Sequence, residues 1–347
     1  MSGRIRLGLA GFAGVTVLAA VAIRGADSYY RSSRGEGCAK CHEIRPNHEA
    51  WLSSAHRGVN CVDCHTSSLA NNVRRVVKHF AGDIPERIRL SSADVQTMVL
   101  KCASCHRQEF AQWRSGPHST TYARLFLDPE HNAKRLLMDD CLRCHGMHFE
   151  GSIGDIVTPI DNKGPWKLKE TQFIQRWAIP CLACHAVHVK GQPMAKGSRT
   201  GPNQEVYRPS ISLFDRRSGL PIELAHLAAP QMLEGARKVR TSPDPRQALC
   251  YQCHAPLDSR QVGSGDDRTP IGVHEGLSCL ACHQKHGQFT RASCAGCHPR
   301  LSNCGLDVEK MDTTFRDPKS RFNIHFVKCA DCHVKGVPTK RVRQVGD

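Results

Sequence analysis

Apolar and polar positions are unevenly distributed along the 347 residues. Leu7 to Ile23 form a 17-residue run without a charge, preceded by Arg4 and Arg6 and followed by Arg24, Asp27, Tyr29 and Tyr30. That length is short for a bilayer-spanning helix and long for the apolar part of a signal peptide. The run predicts an uncleaved signal-anchor, because the two tyrosines suit a membrane interface. Ala20-Val21-Ala22 offers a small-residue cleavage site, so a secreted form is the alternative. Arg4 and Arg6 stay inside under the positive-inside bias, which leaves everything from about residue 26 outside. No second apolar run of this length follows, so the chain spans a membrane once at most.

Farther along, Leu69 to Phe80 carries Val73, Val76, Val77 and Phe80 at helical spacing, with Arg74, Arg75 and Lys78 between them. This predicts an amphipathic helix. A second helix is expected over Ile222 to Val239. Strand signals are few, and frequent Pro, Gly and Asp-Pro steps predict long irregular connections. Gly191 to Pro202 reads as a linker. A spaced element recurs: Trp51 precedes Ser53 and His56, and Trp113 precedes Ser115 and His118. The repeat suggests duplicated modules in which a Trp covers a flat cofactor and a His reaches a neighbouring metal.

The cysteines change this picture. Eighteen of the 19 fall in one pattern: Cys38-Ala-Lys-Cys41-His42, Cys61-Val-Asp-Cys64-His65, Cys102-Ala-Ser-Cys105-His106, Cys141-Leu-Arg-Cys144-His145 and Cys181-Leu-Ala-Cys184-His185, then Cys250-Tyr-Gln-Cys253-His254, Cys279-Leu-Ala-Cys282-His283, Cys294-Ala-Gly-Cys297-His298 and Cys329-Ala-Asp-Cys332-His333. Random placement would give roughly 0.06 such motifs. A disulfide framework or an array of zinc sites needs no His after each second Cys, whereas here it recurs in all nine. In CxxCH the thiols bond covalently to a haem and the next residue presents an imidazole to the iron. Nine haem c groups are therefore expected. Cys304 is the odd thiol, read as a small buried residue.

Nine histidines are proximal ligands, leaving eleven of the 20 for nine sixth positions. A haem iron with protein ligands at both axial positions carries electrons, whereas one with an open position binds small molecules. His148, His188 and His286 each lie three residues past a motif His, so each should ligate a neighbouring haem rather than its own. His56, His274 and His325 lie four or five residues before a motif, and His118 belongs to the Trp repeat. His48 and His226 complete the expected set; His79, on the amphipathic helix, and His131, in a loop-like stretch, are left out. Met147, inside Cys-His-Gly-Met-His, is the methionine with a distinctive spacing.

The motifs divide the chain into an anchor over 1–25, a five-haem part over 26–195 and a four-haem part over 196–347, separated by the haem-free interval 186–249. The expected fold class is mainly α with long irregular loops, a haem-packed core and a single N-terminal transmembrane helix. Residues 1 to about 150 resemble the NapC/NirT family of membrane-anchored multihaem quinol dehydrogenases. The resemblance rests on the anchor, Cys38 to His42, then Ser54-Ala-His56 before Cys61 to His65, a helix, and the motifs at Cys102 and Cys141. It implies electron uptake from membrane quinol and delivery to periplasmic partners. The family commonly has Met two residues after the first motif His; here Ile44 stands in that place, which leaves haem one to His48.

Composition fits this reading. Eleven Phe, five Tyr and four Trp provide little aromatic core, and nine porphyrins would supply flat apolar surface instead. The formal charge of +16 is of the size needed to balance roughly 18 haem propionates, which removes the case for nucleic acid. The expected function is a nonahaem relay at the outer face of a bacterial inner membrane. Its partners would be the quinone pool or a quinol-oxidising complex on one side and a periplasmic or outer-membrane redox protein on the other. A reductase of nitrite, hydroxylamine or a sulfur oxyanion with one open haem is the alternative, and a secreted filament-forming cytochrome is a third.

Overall fold

A computed structural model describes residues 2–65, 74, 77–83, 90–189, 192–193, 207–208, 210–229, 231–254, 268–287, 297 and 325, with the backbone alone for 2–12, 192–193 and 207–208. Motifs eight and nine, including Cys294, His298, Cys329, Cys332 and His333, lie outside the described residues apart from Cys297, as does Cys304.

The apolar run lies in a 31-residue helix, α1 (Ser2–Ser32). Among the described residues no helix is long and apolar enough to cross a membrane, so the expected transmembrane helix is not found in the structure. Val15, Val17, Leu18 and Val21 are each more than 60% exposed on α1. The helix ends where Arg34 and Gly35 take positive φ. Gly35 is needed there: a Cβ would stand 2.9 Å from the His48 ring and 3.0 Å from Cys61 Sγ.

Short helices follow: α2 (Arg45–Leu52), α3 (Cys61–Cys64), α4 (Ser92–Cys105), α5 (Arg107–Ser115), α6 (Tyr122–Phe126), α7 (Pro129–Lys134), α8 (Ile153–Ile156), α9 (Arg246–His254) and α10 (Cys279–Cys282). Between them run 3-10 turns and small antiparallel sheets, the longest hairpin pairing Ser210–Asp215 with Leu220–Glu223. The predicted helix over 222–239 is wrong. That stretch contains a strand end, a 3-10 turn at Leu224–His226 and a hairpin of Leu233–Glu234 with Arg237–Lys238. Gly235 at φ +63° makes the hairpin turn, a conformation that breaks a helix. Of the predicted helix over 69–80, residues 77–80 are helical, and its apolar positions Val77 and Phe80 are exposed.

The chain forms two compact units that interleave along the sequence: 1–90, 97–102 and 185–211 in one, 91–96, 103–184 and 212–347 in the other. The second holds a side-chain core of its own, built from Tyr122, Phe126, Leu137, Leu142, Ile153, Ile156, Val157, Phe173 and Ala178. That cluster corrects the expectation of a core made by porphyrins throughout. It arises because α6 and α8 turn apolar residues at i, i+3 or i+4 toward a hairpin of Val157–Thr158 with Lys167–Leu168. A capping box at Ser152 and Asp155 starts α8.

Candidate haem centres

The described motifs share one local geometry. CxxC forms a single helical turn: 3-10 at Cys38–Lys40, Asp139–Arg143 and Cys181–Ala183, and α at Cys61–Cys64 and Cys279–Cys282. In motifs three and six it is the last turn of α4 and α9. Thiols at i and i+3 thereby lie on the same side of the chain. The next residue is folded back, as when His65, His145 and His283 donate their backbone N–H to Cys61, Cys141 and Cys279 at 2.8, 2.9 and 2.8 Å.

Four motif histidines face a histidine from elsewhere in the chain. His65 and His188 are stacked with ring centroids 5.7 Å apart and planes 24° apart. His283 and His325 lie at 6.2 Å and 21°, His118 and His254 at 6.2 Å and 39°, and His42 and His79 at 5.8 Å and 58°. Two imidazoles bonded from opposite sides to one metal, at about 2 Å each, hold their centroids roughly 6 Å apart. The first three pairs therefore fit a bis-histidine haem iron, whereas between His42 and His79 stands the Glu43 carboxylate, its Oε1 3.2 Å from His42 Nε2 and 3.0 Å from His79 Nδ1.

Buried nitrogens support the fit. His148 Nε2 is buried without a hydrogen-bond partner, while its ring hydrogen-bonds the Leu182 backbone and stacks on Phe214 at 3.9 Å. Burial lowers the His148 and His325 pKa values to about 4. An imidazole kept neutral has a lone pair for a metal. His48 Nε2 is likewise buried without a partner. Its ring stacks on Trp51 at 5.6 Å, beside Gly35 and Cys61. His286 lines a cavity of about 600 Å3 with Gln108, Glu109, Gln112, Arg246 and His283; α5, one wall of that cavity, begins directly after His106. His56 and His274 lie within electrostatic reach of His188 and His325 respectively. His226 is exposed at the end of its 3-10 turn, and His131 is exposed on α7. Met147 is buried.

Neighbouring motifs also touch. Cys144 Sγ donates to the Gln252 carbonyl inside motif six at 3.9 Å. The first thiols of motifs six and seven, Cys250 and Cys279, hydrogen-bond one another, which depresses the Cys250 pKa and raises that of Cys279. Ser278 Oγ donates to Asp244 at 2.8 Å, tying the start of α10 to the segment that leads into α9. The Trp repeat has a structural use at both sites: Trp51 and Trp113 are buried. Trp113 Nε1 donates to the Ile179 carbonyl at 3.2 Å, and its ring meets Trp177 edge-on at 5.3 Å.

Sequence reasoning passed over His79 and Glu43. A histidine on an amphipathic helix far from any motif gives no positional signal, and a Glu beside a motif His is not informative by itself.

Two family models match. Residues 101–186 match cytochrome c554 and c-prime, and residues 237–299 match cytochrome c7 and related cytochrome c. The first segment contains motifs three to five and the second motifs six to eight. No curated protein and no solved structure matches the chain. The NapC/NirT resemblance covers 1 to about 150; the c554 match overlaps the last third of it, and neither match reaches the first hundred residues. The CxxCH turns, the facing imidazoles and these two matches identify the chain as a multihaem c-type cytochrome that functions in electron transfer.

Proposed function

We propose that the chain binds nine haem c groups and relays electrons between a membrane donor and an outer redox protein. The observation that carries this reading is the facing of motif and non-motif imidazoles in three places among the described residues. A haem iron held by a histidine on each axial side, in addition to its four porphyrin nitrogens, has no position for substrate. The haems would supply reversible one-electron Fe(III)/Fe(II) chemistry; the protein's part is to attach, ligate and space them. Histidine on both sides keeps potentials low, since the potential-raising Met is missing from the paired sites.

The donor end is the N-terminus. A 17-residue uncharged run within a 31-residue helix and the exposed apolar residues of α1 favour a membrane anchor. The NapC/NirT resemblance favours quinol, directly or through a quinol-oxidising complex, and a periplasmic position for the haems. Adding quinol to membranes that contain the protein tests this end. The expected result is reduction of the haem bands; haems that dithionite reduces and quinol does not would contradict a quinol donor. Recovery of the protein from the soluble fraction, cleaved after Ala22, would contradict the anchor.

A further inference from the structure

The haem-free interval between motifs five and six has a use that the relay reading leaves unassigned. Its hairpin, Ser210–Asp215 with Leu220–Glu223, meets the segment that follows motif four. Ser212, 1% exposed, donates its backbone N–H to the Cys184 carbonyl of motif five at 3.0 Å. Two positions on, and so on the same face of the strand, the Phe214 ring stacks on His148 with centroids 3.9 Å apart and planes 27° apart. Just past the strand, the Arg216 guanidinium donates to the Gly151 carbonyl. Contacts on either side of Phe214 thus hold it over one imidazole.

That imidazole is prepared for a metal. Its ring donates to the Leu182 carbonyl of motif five. Because Nε2 is buried without a hydrogen-bond partner, the bond belongs to Nδ1, which keeps the proton there and the lone pair on Nε2. A buried nitrogen left without a partner is costly unless something else engages it. The motifs supply an iron for it: His148 lies three residues past His145, too close to cross that residue's own porphyrin and placed to reach another.

We infer that Phe214 is a positioning residue for His148, the sixth ligand of a neighbouring haem, and that the hairpin of the haem-free interval is the brace that holds the two rings together. This deepens the relay reading and rests on it. The Leu182 carbonyl fixes one edge of the His148 ring and Phe214 fixes one face, so together they set the rotation of the ring about its bond to iron. In a ferric haem with two imidazole ligands, the angle between the ring planes sets the g-values of the low-spin signal.

The test uses the full-length, haem-loaded protein and the electron paramagnetic resonance of its oxidised state. His148→Ala should move about one ninth of the iron from low-spin to high-spin, given nine motifs, and added imidazole should return it to low-spin. Phe214→Leu should leave every iron low-spin and shift the g-values of one haem, whereas Phe214→Tyr, which keeps the ring, should retain them. Leu220→Ala, at an exposed position of the same hairpin, should shift no signal, which separates the stack from the general folding of the hairpin. The inference is overturned if His148→Ala leaves all added iron states low-spin, if Phe214→Leu moves no signal, or if Leu220→Ala moves the same one. A high-spin fraction already present in the unsubstituted protein would contradict the relay reading alone where His148→Ala enlarges it, and both readings where His148→Ala leaves it unchanged.

Discussion

The segment matching cytochrome c554, 101–186, and the segment matching cytochrome c7, 237–299, hold their motifs by different means. The first has nine clustered buried residues, from Tyr122 to Ala178, among them the fully buried Leu142 of motif four. In the second, the buried apolar residues among those described are Val239, Ala248 and Tyr251. Charged contacts take the place of a core there. Arg237 donates to Glu275 at 2.8 Å, the Arg240 backbone N–H donates to the same carboxylate at 2.7 Å, and Arg246 chelates Asp244. Apolar burial stabilises by roughly 25 cal/mol per Å2, whereas exposed ion pairs contribute about 1 kcal/mol or less. One segment therefore has the means to fold around its own side chains. The described part of the other offers few apolar side chains for a core, and haem faces would supply the rest.

The largest expected effect follows from removing the haems. In a chain made without haem attachment, amides of α6 and α8 should retain protection in hydrogen exchange, while those of α9 and α10 should exchange at unfolded rates. Equal protection in both segments would end the contrast. Next in size is truncation inside the core. Leu142→Ala or Ile156→Ala should cost about 2–5 kcal/mol, read as a fall in the denaturant midpoint of the haem-loaded protein. The exposed Leu233→Ala should change it by less than about 0.5 kcal/mol.

A smaller effect tests how closely motif four is fitted to that core. Gly146 directly follows His145 at φ +99°, and a Cβ there would stand 2.8 Å from the Tyr122 hydroxyl. Gly146→Ala combines left-handed strain with a clash and should destabilise by about 1–3 kcal/mol. Unchanged thermal unfolding would show that the core yields at this point.

The smallest effect is a pH dependence that is larger in the c7-like segment, where two carboxylates are depressed to about 2, than at α8, where Ser152 lowers the Asp155 pKa. Hydrogen bonds from Arg237 and the Arg240 backbone lower the Glu275 pKa to about 2, and Arg246, with Ser278, lowers that of Asp244 to about 2. Groups depressed on folding stabilise fully above their unfolded values, about 4 for carboxylates, and lose that contribution as pH falls toward 2. Exchange around α9 and α10 should therefore rise between about pH 4.5 and 2, ahead of α6 and α8. Glu275→Gln should flatten that dependence, and a variant with the wild-type profile would refute the assignment.

The motifs were readable from sequence because covalent haem attachment fixes both residue type and spacing. His188 and His325 drew attention because the motifs beside them already hold the chain near a haem, and the structure sets each opposite a motif ring. The partner of His42 was not readable. His79 is 37 positions away in sequence, and its approach depends on tertiary folding that no local spacing encodes. The core of 122–178 was missed for a related reason. Its residues come from two short helices, a two-residue hairpin strand, two 3-10 turns and the loops at Leu137 and Ala178, each too short to show a period. The stretch 222–239 had apolar residues at helical intervals, but Gly235 and the cross-strand pairing of Leu233 with Lys238 outweighed them.

The account's central claim is that every motif carries a haem whose iron is closed by protein on both sides. Haem content per chain, measured with the spin state of the oxidised full-length protein, tests it most directly. The expected result is nine haems, all low-spin. Fewer than nine, or a high-spin fraction near one ninth that binds added small ligands, would contradict it.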